Sequence, residues 1–119
     1  MSQNAKQYDL EERTASFARE VANFSKQLHR TISNIEYIKQ VIRSSASIGA
    51  NYIEANESLS KKDFILRVKI CRKEAKETCY WLKLIRETND NIPKQIADLY
   101  QEATELKKIL SAIIDKSLN

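Results

Sequence analysis

Four lysines, Lys62, Lys69, Lys76 and Lys83, recur every seven residues. On an α-helix this spacing puts them in one line, with neighbours about 10 Å apart. A line of ammonium groups can follow a phosphate backbone by displacing condensed counterions. It can also be a solvated face, partly paired with Glu74 and Glu77 on the same stretch. Residues 61–89 hold nine basic groups and four acidic ones. That stretch carries the charge excess of a chain whose formal net charge is +4. The balance permits contact with nucleic acid and does not demand it.

Other chemistry is poorly supplied. The one histidine, His29, falls where a first helix should end and would meet that helix's last carbonyls. A di-iron bundle needs paired Glu-x-x-His motifs, and one histidine cannot furnish two. Cys71 and Cys79 are separated by about 12 Å if both lie on one helix, too far for a disulfide. Neither has a histidine close in sequence to activate it, and Cys71 reads as a small buried hydrophobe. A single glycine cannot build a Gly-rich phosphate loop. The expectation is a protein that is not an enzyme, with no metal and no cofactor.

The elements that position these residues follow from the lack of breakers. The chain has 119 residues, 42% hydrophobic and 30% charged, with one Gly and one Pro. A β-sandwich or a doubly wound fold needs many more turn residues. Four apolar seams step by fours and threes, as amphipathic helices do. The first runs Leu10, Thr14, Phe17, Val21, Phe24, Leu28, with Asp9 as its cap and Glu12 as capping-box partner. The second runs Ile38, Val41, Ser45, Ile48, Tyr52, with Asn34 as cap. The third runs Phe64, Val68, Cys71, Ala75, Thr78, Leu82, Ile85 behind a Ser60–Asp63 capping box. The fourth runs Ile92, Ile96, Leu99, Ala103, Leu106, Leu110, Ile113, with Pro93 in its first turn. The reading is all-α: one domain over 1–119, with helices at roughly 9–29, 34–56, 60–88 and 92–117. Short connections make it an antiparallel up-down-up-down four-helix bundle.

Two features depart from a plain bundle. The second helix carries Ser44, Ser45, Ala46, Ser47, Gly49 and Ala50. These small residues suit either a tight crossing within the chain or a contact between copies. The third helix carries Leu66, Ile70, Tyr80, Trp81 and Leu84 away from its core seam. A surface helix normally has one apolar stripe, so this second face points to self-association or to an unusually wide core.

The stretch from Gln40 to Ile85 holds two longer motifs. One is R-S-x-x-S-I-G-A-N-Y-x-E-A, from Arg43 and Ser44 through Ser47, Ile48, Gly49, Ala50, Asn51 and Tyr52 to Glu54 and Ala55. The other is S-K-K-D-F at Ser60–Phe64, with K-E-A-x-E-T-x-Y-W-L at Lys73–Leu82. These motifs resemble a bacterial four-helix bundle family found in intervening sequences of large-subunit ribosomal RNA genes. The accessory variability proteins of diversity-generating retroelements are similar. Many members carry Pro where Gly49 stands. The resemblance implies a homopentameric ring, often with a basic surface. Retroelement members are linked to nucleic acid and to a reverse transcriptase. Gly49, Asn51 and Glu54 would be structural, the last two as polar anchors between helices.

Two functions follow as expectations. One is an oligomeric accessory protein that holds RNA or DNA non-specifically through the third helix. The other is a protein–protein scaffold or adaptor ring without a nucleic-acid role. Free thiols, an N-terminus without a signal-peptide core and no apolar run of membrane length suggest a cytoplasmic protein with no membrane partner.

Overall fold

The computed structural model describes the backbone of residues 3–119 and the side chains from Asp9 onward. Four helices follow in order: α1 Gln3–Ser25, α2 Ile32–Asn56, α3 Lys61–Glu87 and α4 Gln95–Leu118. There is no strand among the described residues. Each helix packs on its neighbours in sequence, and α1 also meets α4. The result is an antiparallel bundle 45 Å long and 25 by 19 Å across.

Burial explains the arrangement. All six positions of the first seam are buried, from Leu10 at one end to Leu28 at the other. On α3, Val68, Cys71, Ala75, Leu82 and Ile85 are sealed completely. The α4 stripe shifts from Leu110 to Ile114, leaving Ile113 half-buried. A helix of 3.6 residues per turn drifts off a strict seven-residue repeat, and the core takes the next side chain round.

The helix ends differ from the sequence expectations in instructive ways. α1 begins at Gln3, so Asp9 lies inside it and is not its cap. Nothing between Gln3 and Asp9 breaks a helix, and Ala5, Lys6 and Gln7 are good formers. The same helix stops at Ser25, four residues early, and turns through Gln27 N–H to Phe24 C=O. α2 is capped by Thr31, whose hydroxyl accepts the Asn34 amide. Asn34 is instead buried, and it exchanges side-chain amide hydrogen bonds of 2.8 Å with Asn89. It also donates to the His29 carbonyl. That network ties the α1–α2 connection to the end of α3. Ser60 caps α3 as expected, accepting from Asp63 N–H at 3.1 Å. Pro93 lies just before α4 rather than inside it, its carbonyl accepting from Ile96. Asn91 takes the left-handed conformation, φ 52°, which Asn tolerates better than most residues.

The small residues of α2 serve two crossings within the chain. Ser44 faces α3 and lies 2.8 Å from the Thr78 hydroxyl. Gly49 faces α1, where an added Cβ would stand 2.8 Å from Thr14 Oγ1 and 3.2 Å from Thr14 Cβ. α2 runs through Gly49 without a break. α1 and α4, the least extensive contact, are clasped by Arg13. Its guanidinium meets both oxygens of Glu102 at 2.7 Å and Glu105 at 3.1 Å. The bond to Glu102 pushes the Arg13 pKa up. The Gln101 amide and then Arg13 hold Glu105 below the usual carboxylate range.

Candidate nucleic-acid interface

α3 presents its charges on a capped helix of 27 residues. Lys62, Lys69, Lys76 and Lys83 are all exposed along it. The carboxylates expected to neutralise them are engaged elsewhere. Arg43 of α2 reaches across with Nη1 3.2 Å from Glu74 Oε1 and Nη2 2.9 Å from Glu77 Oε1. Glu74 is mostly buried in that contact. None of the four lysines forms an ion pair among the described residues. Sequence reasoning placed Arg43 in a motif and missed this role. The signal was available only as a contact 31 residues away.

A groove of about 750 Å³ runs between α3 and α4 beside the line. Lys69, Arg72, Lys73 and Lys76 form one wall, and Lys107 and Lys108 the other. Arg72 Nη1 lies 3.4 Å from Ser111 Oγ, both in the lining of that groove. The two α4 lysines were not singled out from sequence. Their pairing with α3 needs the register of two helices, which periodicity alone does not supply.

The second apolar face is split by depth. Leu66 and Tyr80 are 57% and 55% exposed, while Ile70, Trp81 and Leu84 are half-buried. Trp81 stacks at an angle on Tyr37 of α2, with centroids 6.2 Å apart, and edge-on to Tyr80 at 5.1 Å. So Trp81 belongs partly to the α2–α3 packing, and Leu66 and Tyr80 are its outward part. On α2, Ile42 and Ile53 are also exposed.

Of the polar motif residues, Asn51 bridges helices. Its amide donates to the Ser47 carbonyl at 2.9 Å and its oxygen accepts from Arg67 at 3.3 Å. Glu54 is exposed and pairs with no base among the described residues, so it is not the anchor expected of it. Asn51, one turn earlier, makes the inter-helix contact with Arg67.

Both thiols are enclosed by the bundle. Cys71 is fully buried, and burial pushes its thiol pKa up to about 12. Cys79 is buried with its sulfur 3.9 Å from the Thr104 hydroxyl. His29 is exposed in the α1–α2 connection rather than at a helix end. No cluster of three metal-ligating side chains occurs among the described residues, and no helix of the described chain is long and apolar enough to cross a membrane.

Comparison with known proteins agrees with this bundle. A crystal structure at 1.70 Å of a protein of unknown function from the S23 ribosomal protein family of Bacteroides thetaiotaomicron VPI-5482 superposes with a TM-score of 0.82. It is 35% identical in sequence, and the match covers 92% of this chain and 98% of that one. No curated protein matches significantly. Neither the matched family nor the matched structure is described by a reaction. The family described as 23S rRNA-intervening sequence protein matches residues 6–112, nearly the whole bundle, and the chain belongs to that family.

Proposed function

We propose that this protein is a self-associating accessory bundle, not an enzyme, that holds nucleic acid through the phosphate backbone along α3. The observation that carries the reading is the exposed line Lys62, Lys69, Lys76 and Lys83, left without ion pairs because Arg43 takes Glu74 and Glu77. Uncompensated cations at this spacing attract phosphate by counterion release and read no bases. A ring of copies, the homopentamer of the resemblance, would repeat the line in every subunit and sum its field. Self-association is supported by Leu66 and Tyr80, two large apolar groups exposed on one helix. Unpaired buried thiols suit a reducing cytoplasm.

The same apolar face favours a second reading, a ring that docks a partner polypeptide such as a reverse transcriptase and touches no nucleic acid. The experiment that separates the two changes Lys62, Lys69, Lys76 and Lys83 together to Gln. All four side chains are exposed, so the bundle should fold unchanged. Wild type should retard labelled RNA and DNA in a gel at about 50 mM salt, where phosphate contacts are strong, and the variant should do so far less. Equal retardation would make the line a solvated face. No retardation by either protein would leave the scaffold reading in place.

A further inference from the structure

We infer that the groove between α3 and α4 is a track for the phosphates of a single nucleic-acid strand, excluding a duplex. The inference rests on the nucleic-acid reading and names the form of the ligand and the residues that select it. The groove is walled by six cations, Lys69, Arg72, Lys73 and Lys76 on one side and Lys107 and Lys108 on the other. None of the six is ion-paired among the described residues. The one carboxylate in the lining is Asp115, so the walls carry a large local excess of positive charge.

Shape decides which strand form fits. Packed helix axes lie about 8–10 Å apart, so the trough between α3 and α4 is as wide as one backbone. A strand lying in it meets cations from both walls at once. A duplex is too broad to enter and touches only the outer lysines. Along α3, Lys69 to Lys76 spans about 10 Å, enough for two or three consecutive phosphates of an extended strand. Arg72 differs from the lysines. Its fork can grip one phosphate bidentately, and Nη1 donates to the Ser111 hydroxyl 3.4 Å away across the groove. The lining holds no aromatic side chain, so bases are not stacked there, and the strand is held without regard to sequence.

The test uses the full chain and the combined variant Arg72→Gln, Lys107→Gln and Lys108→Gln. This variant leaves Lys62, Lys69, Lys76 and Lys83 in place. Fluorescence anisotropy is read with a labelled 12-nucleotide oligothymidylate, an abasic strand of equal length and a blunt duplex. Circular dichroism establishes that the variant keeps its helicity. The expected result is a preference of wild type for the single strand. The variant should lose at least tenfold in single-strand affinity at about 50 mM salt, with a salt slope shallower by about 2 for three lost contacts. Its duplex affinity should change less than threefold. The abasic strand should bind wild type as the thymidylate does. If wild type binds and the variant holds the single strand within threefold of it, the groove inference is wrong and the wider reading stands. A wild-type preference for duplex, or a tenfold weaker abasic strand, also overturns it. If wild type binds no probe, the nucleic-acid reading fails first and takes the groove with it.

Discussion

Gly49→Ala should destabilise the bundle, although alanine is the better helix former. In an open helix the change would gain about 1 kcal/mol. Here the new Cβ would stand 2.8 Å from Thr14 Oγ1 and 3.2 Å from Thr14 Cβ. Thr14 is 1% exposed and its hydroxyl donates to the Glu11 carbonyl at 2.9 Å. A β-branched side chain is stiff at χ1, so relief must come from rotating Thr14 off its bond or separating α1 from α2. Overpacking of this kind costs about 1–3 kcal/mol. The difference is a net loss of about 1 kcal/mol. That is a midpoint shift of roughly 0.5 M in urea, followed by far-ultraviolet circular dichroism. Protein concentration must be held fixed, because self-association would contribute to apparent stability. Adding Thr14→Ala removes the 2.8 Å contact and leaves the 3.2 Å one. The double variant should then be more stable than the sum of the single changes predicts, by about 1 kcal/mol. A Gly49→Ala protein stabilised by about 1 kcal/mol, with no coupling to Thr14, would refute the close α1–α2 approach.

Asn34→Ala should cost about 1–3 kcal/mol in a urea titration, because it leaves the half-buried Asn89 amide without its partner; an unchanged midpoint would mean water replaces the pair. Burial pushes the Cys71 thiol up from its ordinary 9.0 to about 12. The stability this group contributes is therefore whole well below pH 9 and falls as pH rises through 9 toward 12, by about 1 kcal/mol at pH 10. Cys71→Ala should lose stability less steeply between pH 8.5 and 10, and an identical slope would deny the buried thiol. Native mass spectrometry should find wild type at a multiple of 13.8 kDa, most simply five copies. Leu66→Glu with Tyr80→Glu should lower that mass while helicity persists, because both side chains are exposed in the single chain. A wild-type monomer at tens of micromolar would end the self-association proposal.

The helices were legible because their apolar steps are regular and breakers are scarce. Phe17, Val21 and Phe24 could be assigned to the core from spacing alone, and all three are sealed. Helix ends were less legible, since capping residues compete with other uses of the same side chain. Asn34 has the chemistry of a cap, yet burial against Asn89 claims it and Thr31 caps instead. Asp9 looked like a start because it is a capping type just ahead of the apolar seam, yet the helix formers Ala5, Lys6 and Gln7 carry α1 back to Gln3. The lysine line was readable as a spacing. Whether its charge is free was not, because that depends on Arg43 capturing Glu74 and Glu77 across two helices. The α4 wall of the groove was invisible for the same reason: Lys107 and Lys108 meet α3 only through the register of packing.

The most direct test of the central claim is the salt dependence of binding by the wild-type protein. Anisotropy of a labelled single strand is titrated at 50, 100 and 200 mM salt, and the logarithm of affinity is plotted against the logarithm of salt concentration. Four phosphate contacts on the exposed cations of α3 predict a straight line of slope about −3, and Lys107 and Lys108 across the groove steepen it to about −4, hence about 60- to 250-fold weaker binding across that range. A slope near zero, or no binding at 50 mM, would contradict a protein that holds nucleic acid by its backbone.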